Sequence, residues 1–567
     1  MIQEFFIDMI GMLKQGHLSK LDLARLKLKL CGKHKIKRVP TDIEIMLNAS
    51  AEDLPFLKKT LRIKPTRSIS GVAVVAIMSK PHKCPHGKCT ICPGGPDSFF
   101  GEVPQSYTGA EPATMRAIRN RFDPYLQVFN RLEQYVASGH LPDKVELIIM
   151  GGTFPSINKN YQKGFVKGAL KAMNDFSEMF FKDGEIDIVT FKDFFELPGP
   201  VGDDKRIDKI HAKLDRIKDK PRSSLIAEQK RNETVKIRCV GLTLETRPDY
   251  GRLKHGNFAL ELGATRIELG IESVFDDVLL NINRGHDVAE SIASIRELKD
   301  IGFKLNFHYM LGLPGSSKWR DIQGLKNLFD NQDFQPDMLK IYPCMVLKGT
   351  EIYKQWHSLN YSPLTTDNAA EIICEAKRFI PKYVRIMRIQ RDIPTVQIEA
   401  GVDRTNLRQY VDQLCQKKGI KCRCIRCREV GRAKKVGAVH ITVEAYDASE
   451  GREFFIAVED IVNDVIIGFA RLRFPSGSLR KEITKDSALL RELHVYGDTA
   501  AVGEQVGGGS AVKHQHKGFG TRLVAKAEQI ALKHGKNKMV VISGIGVREY
   551  YKKLGYKIEG PYMVKKL

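Results

Sequence analysis

Across residues 70–395 short β-branched runs alternate with amphipathic stretches, and this rhythm limits the fold more than any other feature of the chain. The runs fall at 72–78, 145–150, 237–244, 266–271, 304–310 and 338–342, with helical patterns such as 114–137 and 287–301 between them. Parallel strands need long crossovers, which helices supply, so apolar runs spaced by helices predict βαβ units. Six in series predict a partial TIM-like (β/α)6 barrel, whose chemistry gathers at the carboxyl ends of its strands. Residues 182–233, rich in Lys, Asp and Pro, break the rhythm and read as a mobile, charged insertion.

The flanks differ. Residues 1–69 read as helical and basic, with leucines interleaved among Lys and Arg and Pro40, Pro55 and Pro65 as punctuation. Residues 396–437 form a linker: a helix over 403–418, then a second cysteine cluster. Residues 438–567 open a new pattern, with strands at 439–446, 453–458, 465–474 and 489–495, a helix at 520–534, a strand at 539–543 and a short helix at 547–554. That order is the tail of an acetyltransferase-like α/β fold. No stretch is long and apolar enough for a membrane span. Eleven cysteines in two tight groups and scattered singles suit a reducing, cytoplasmic setting better than a secreted disulfide frame.

The net charge of +24 speaks to partners. Residues 14–38 hold nine basic side chains against Asp22, and residues 404–435 hold eleven against Asp412 and Glu429. Two such stripes suit a phosphate backbone.

Three constellations carry chemistry. The run KCPHGKCTICPGG puts Cys84, Cys89 and Cys92 just after the first strand. Three thiolates there suit an iron–sulfur cluster with one iron left open, or a zinc ion; a disulfide pair fits less well beside so many other thiols. The second strand ends in Gly151-Gly152-Thr153, where backbone amides approach a bound amine or carboxylate, and Glu272 closes a later strand within reach of a ribose. Second, Gln515-His516-Lys517-Gly518-Phe519-Gly520 opens a helix, and Gly518 and Gly520 let amides converge on a pyrophosphate at its positive end. Third, Cys422, Cys424 and Cys427 have structural-zinc spacing, with Cys415, His440 and His494 as candidates for a fourth ligand. His308, near the barrel mouth, is a candidate cofactor contact, whereas His255, His357 and His534 read as surface and Cys239, Cys344 and Cys374 as core thiols.

Taken together, the cysteine loop, the Gly-Gly-Thr turn and the βα series resemble the radical S-adenosylmethionine superfamily. The four-then-two cysteine spacing departs from the common three-then-two pattern. It fits one branch, because CPGGPDS, QSYTGAEPATMRAIRNRFDPYLQ, ETRPDY, RGH and IQRDIP resemble the family of the Elongator catalytic subunit. The resemblance runs from about Ser70 to the end. It implies that Cys84, Cys89 and Cys92 ligate a 4Fe–4S cluster, and that acetyl-CoA is contacted by Lys144, Glu492, Leu493, His494, Val495, His514, Gln515, His516 and Tyr551. Tyr551 would protonate the thiolate leaving group; a packed aromatic is the other reading. The implied reaction cleaves S-adenosylmethionine to a 5′-deoxyadenosyl radical, activates the methyl group of acetyl-CoA and leaves carboxymethyl on C5 of wobble uridine 34. The tRNA anticodon stem-loop would lie along the two basic stripes, with accessory subunits or a homo-oligomer as further partners. A lysine acetyltransferase with a merely structural cluster is the alternative and needs a general base, for which Glu492 is the candidate. A nonenzymatic tRNA-binding scaffold would not need two cofactor sites.

Overall fold

The computed structural model describes residues 2–16, 18–50, 52–61, 71–199, 203–433, 435–497 and 518–567. Its central sheet has seven strands: β1 (Ala73–Met78), β2 (Lys144–Met150), β3 (Arg238–Thr246), β4 (Arg266–Glu272), β5 (Lys304–Leu311), β6 (Met338–Pro343) and β7 (Arg385–Arg388). They lie in sequence order and every pair is parallel, so each crossover returns to the next position and the sheet curls into a half-barrel. Apolar runs predict six of them. The seventh, Arg-Ile-Met-Arg, is four residues long and half arginine, too short and too charged for a strand signal.

Alternation sets what each strand presents. In β2, Val145, Leu147 and Ile149 are fully buried in the outer core with Leu126, Phe129 and Phe165, while Lys144, Glu146, Ile148 and Met150 line cavities in the lumen. Packing of the outer residues fixes the register, because a slip by one position would reverse every side chain.

The helix expected over 114–137 is two, Pro112–Arg119 and Pro124–Ala137. Arg121 and Phe122 adopt left-handed conformations (φ 55° and 54°), and the Asp123 carboxylate accepts from the Tyr125 and Leu126 amides to start the second helix. The charged insertion is also more ordered than its composition suggests. Its helices Ile188–Phe194, Asp204–Ile217 and Leu225–Asn232 send Phe191, Ile210 and Leu214 into the main core, joined by Phe195 just after the first of them, and Asn232 is hydrogen-bonded to Asn174 and Ile237.

The amino-terminal helices Ile2–Lys14, Lys20–Lys33, Asp42–Asn48 and Leu54–Leu61 close their own small core around Phe5, Met9, Ile45 and Leu57. Lys27 does not belong to the basic face expected of this segment. It is buried, 2.5 Å from Asp42, and donates to the Pro40 carbonyl. Lys29 and Lys37 are exposed. In the second stripe Arg428 is likewise buried and structural, paired with Glu459 and Asp464.

The carboxyl-terminal sheet comprises β8 (His440–Ala448), β9 (Gly451–Asp460), β10 (Val465–Phe474), β11 (Ser487–Val495), β12 (Lys538–Val541), β13 (Lys557–Glu559) and β14 (Tyr562–Lys566). Their order is β8-β9-β10-β11-β12-β14-β13, with β11 and β12 parallel and the helix Phe519–Lys533 packed on one face. Three fully buried arginines join this sheet to the barrel: Arg471 donates to the Tyr383 carbonyl (2.6 Å), Arg473 to Asp300 (2.5 Å) and Arg491 to Asp337. No described helix is long and apolar enough to cross a membrane.

Candidate active site

The chemistry divides between two cavities at opposite mouths of the half-barrel. The first, about 320 Å3, lies at the carboxyl ends and is lined by the cysteine loop, Gly152, Thr153, Glu272, Arg247 and Arg284. Cys84 Sγ lies 3.4 Å from Thr153 Oγ1, Cys89 Sγ lies 3.1 Å from His86 Nε2 and 3.6 Å from Arg284 Nη1, and Cys92 Sγ receives the Ser106 amide at 3.3 Å. Burial pushes all three thiols up. Arg284 opposes this at Cys89, where its positive charge favours the thiolate.

These sulfurs do not crowd together within 4.8 Å, as those of Cys422, Cys424 and Cys427 do. Ligands of one ion must converge; thiolates on different irons of a cluster stand further apart. The donor set therefore fits an iron–sulfur cluster better than a single zinc ion, a choice that spacing alone leaves open. Gly152 is left-handed (φ 82°), and a Cβ there would lie 2.8 Å from Gln105 Cβ and 3.8 Å from Cys84 Sγ, so only glycine lets the turn pass so close to the loop.

Deeper in this cavity lies an ionic group that the sequence pattern largely hides. Glu245, Glu268 and His308 bring ligand atoms within 4.8 Å of one another, but the Lys340 ammonium sits among them, paired with Glu268 and 3.3 Å from Glu245. That cation occupies the place a metal would take. His308 Nε2 lies 2.9 Å from Glu268, and the Tyr107 hydroxyl donates to Glu245 at 3.1 Å. Burial opposes ionisation of Glu268, but Lys340 and His308 outweigh it and hold the carboxyl well below the usual range. The signal that could have found the group is period-two charge inside otherwise apolar strands: Arg266, Glu268 and Glu272 in β4, Lys304 and His308 in β5, Lys340 in β6.

The second cavity, about 710 Å3, lies at the amino ends of the strands, where the carboxyl-terminal sheet covers the barrel. Lys144, Lys304, Met338 and Arg385, the first residues of β2, β5, β6 and β7, line it together with Glu492, Leu493, His494, Val495, Gly518 and Gly520. Gly518 takes a left-handed conformation (φ 72°) at the start of the helix Phe519–Lys533, whose leading amides face this space. Arg426 and Arg432 add to a strongly positive lining. Lys144 and Met150 are thus at opposite ends of one strand, about 20 Å apart at 3.3 Å per residue, and Gly151 follows Met150.

Two sequence expectations change here. Tyr551 is buried against Tyr550 and Tyr556 in the core, and Tyr550 lines the cavity instead. Glu492 is a poor general base: burial opposes its ionisation, but Lys304 and Arg471 (2.8 Å) overcome that and hold its carboxyl below the ordinary range. His514, Gln515 and His516 lie outside the described residues. At the linker, none of Cys415, His440 and His494 joins the Cys422–Cys424–Cys427 cluster. Cys415 is spent on Cys374, sulfur to sulfur at 2.9 Å, His440 is exposed at the start of β8, and His494 lines the second cavity.

A parallel half-barrel with a three-cysteine loop at one mouth, closed at the other by an acetyltransferase-type sheet, defines a radical S-adenosylmethionine domain fused to a GNAT domain. Residues 78–324 match the Radical SAM superfamily, 336–417 the Radical SAM C-terminal domain, 437–556 the acetyltransferase (GNAT) family and 4–69 the ELP3 N-terminal domain. The chain is 46% identical over 536 residues to the tRNA uridine(34) acetyltransferase of Methanocaldococcus infernus, covering 93% of this chain and 92% of that protein. It is 36% identical over 578 residues to Elongator complex protein 3 of Homo sapiens, covering 99% and 96%. The solved structure of the archaeal M. infernus Elp3 lacking residues 1–46 matches with a TM-score of 0.71 at 40% identity, over 88% of this chain and 100% of that one. The chain belongs to the family of the tRNA uridine(34) acetyltransferases and Elongator complex protein 3.

Proposed function

We propose that this chain is a tRNA-modifying enzyme that uses S-adenosylmethionine and acetyl-CoA to build a carboxymethyl group on C5 of wobble uridine. The observation that carries the reading is the pairing of the two cavities: a thiol-lined one with an arginine beside its central sulfur, and a cation-rich one beneath a helix N-terminus, at the two ends of one barrel. Bound at Cys84, Cys89 and Cys92, a 4Fe–4S cluster supplies reductive cleavage of S-adenosylmethionine and hence hydrogen abstraction from carbon.

The chain's own residues bind, orient and exclude water. Arg284 favours the thiolate at Cys89. Gly151, Gly152 and Thr153 offer an open backbone turn to the amino and carboxylate groups of S-adenosylmethionine, and Glu272 suits its ribose. Lys144, Lys304 and the amides after Gly518 suit the phosphates of acetyl-CoA. Glu268 holds Nε2–H of His308 and so fixes how the ring is presented in the thiol-lined cavity. The exposed lysines of the amino-terminal helices and of residues 404–435 suit the anticodon stem-loop. Accessory subunits or a second copy, and a cytoplasmic setting, complete the proposal, as does a structural zinc ion at Cys422, Cys424 and Cys427.

The lysine acetyltransferase alternative loses its candidate base in Glu492, which is clamped by Arg471. Nucleoside mass spectrometry after anaerobic reaction with methyl-labelled acetyl-CoA and tRNA tests the proposal. Label on uridine 34, lost in Cys89→Ser/Cys92→Ser and reduced in His308→Asn, is expected; label on protein lysine alone would overturn it.

A further inference from the structure

The two cavities share a wall. Val74, Glu146, Arg266 and Met387 line both of them. In β2 the inward positions pass from Lys144 in the interface cavity, through Glu146 in both, to Ile148 in the cluster cavity. In β5 the same step runs from Lys304 to His308, and alternation puts the residue between them, Asn306, on the same inward face, although it lines neither cavity as they stand.

This midsection is polar and unsatisfied. Asn306 is fully buried, and among the described residues neither its Oδ1 nor its Nδ2 has a hydrogen-bond partner. Arg266 is buried too; its Nη1 lies 2.5 Å from Glu146, yet its Nε has no hydrogen-bond partner among the described residues. Buried polar atoms are almost always paired, so a donor and acceptor on one amide and a spare guanidinium N–H, on the inward faces of two adjacent strands, mark a place for a polar guest. Room exists because Gly241 stands on β3 between the strands that carry Glu146 and Arg266, with no side chain to fill the gap.

We propose that the lumen is a passage for the amide-bearing arm of acyl-CoA: the arm enters from the interface cavity and threads past Arg266 and then Asn306, so that the acyl end reaches the cluster cavity. This rests on the acetyl-CoA reading above. An arm amide matches the Asn306 amide in both senses, N–H to Oδ1 and C=O to Nδ2. Arg266, level with Lys304 and so nearer the interface cavity, donates Nε–H to the carbonyl of the arm amide closer to the nucleotide. The nucleotide stays behind among Lys144, Lys304 and Arg385. The span from Lys144 to Met150, about 20 Å, is one that an extended arm can cover.

Bromoacetyl-CoA tests this, because its electrophilic carbon replaces the acetyl methyl. In cluster-loaded protein carrying Ile148→Cys, or Ala76→Cys as a second, smaller change, the thiolate displaces bromide and leaves a thioether that peptide mass spectrometry locates; both positions line only the cluster cavity. Expected are labelling at least about ten-fold faster than with bromoacetamide at equal concentration, as tethering raises the effective concentration, suppression by excess CoA, and about ten-fold slowing on adding Asn306→Leu with iron content unchanged. Reaction no faster than with bromoacetamide, although bromoacetyl-CoA displaces acetyl-CoA, would overturn the passage while leaving the acetyl-CoA reading intact; so would labelling insensitive to Asn306→Leu. Failure of bromoacetyl-CoA to displace acetyl-CoA would overturn both.

Discussion

Arg491 on β11 donates to both carboxylate oxygens of Asp337, at 2.8 and 2.7 Å, and both side chains are fully buried. Asp337 immediately precedes β6 and also accepts from the Leu305 amide, so one carboxylate ties the acetyltransferase-type sheet to two barrel strands. Removing one member leaves the other charged and dry. Arg491→Met should cost about 3–5 kcal/mol in urea unfolding, and Arg491→Met/Asp337→Leu should recover part of it. Equal stability of wild type and the single variant would show that the pair is not what joins the sheet to the barrel.

The cluster loop gives a separable prediction. Cys89→Ser/Cys92→Ser should lose nearly all bound iron and reductant-driven cleavage of S-adenosylmethionine, while tRNA affinity stays within about two-fold, because the exposed basic faces lie elsewhere. Retained iron in the double variant would refute the ligand assignment.

The amino-terminal helices predict a contrast among lysines. Lys29→Glu/Lys37→Glu should weaken tRNA binding and flatten its log–log dependence on salt by about two units, one for each phosphate no longer neutralised. Lys27→Met should lower the stability of the segment, by removing the Asp42 pair, with little change in that slope. The reverse pattern would exclude this face from the interface.

Acid should loosen the join between the two sheets. Burial pushes His494 down to about 4 from an ordinary 6.5, so the unfolded chain takes up this proton first and stability is lost as pH falls from about 6.5 to 4. Burial opposes ionisation of Asp337, but Arg491 and Arg471 hold it below 3.8, and its contribution is lost only at lower pH still. His494→Gln should lack the first loss, making the drop in unfolding free energy between pH 7 and pH 4.5 smaller by about 2 kcal/mol. Parallel stability–pH curves for the two proteins would contradict this.

At the linker, Cys424 is fully buried and leads the short helix Ile425–Arg428, whose Ile425 amide bonds to the Val384 carbonyl just before β7. Hydrogen bonds from Cys422 and Cys427 hold the Cys424 thiol well below its ordinary value, which suits a metal-bound thiolate. Cys424→Ser should remove one zinc per chain by elemental analysis and lower Tm by several degrees, whereas Cys415→Ser should leave the zinc in place. Zinc content unchanged in Cys424→Ser would refute the site.

Much of this molecule is local. A run such as Val145–Met150 reads as a strand, a glycine pair after it as a turn, and three cysteines in nine residues as a candidate ligand set. The parallel order, the cysteine loop at a strand's carboxyl end and the separate acetyltransferase-type sheet all follow from such short-range signals. Other features depend on neighbours far away in the chain. Whether Lys27 meets RNA or Asp42, whether Tyr551 or Tyr550 reaches the cavity, and whether Glu492 is a base or the partner of Arg471 were decided by packing. The two ends of β2 face different cavities because a sheet some 350 residues downstream covers one mouth of the barrel. Periodicity indicates that alternate residues share a face. Only the closed fold decides that the face of Arg266, Asn306 and Lys340 is a buried lumen, where each charge must find its partner or a guest.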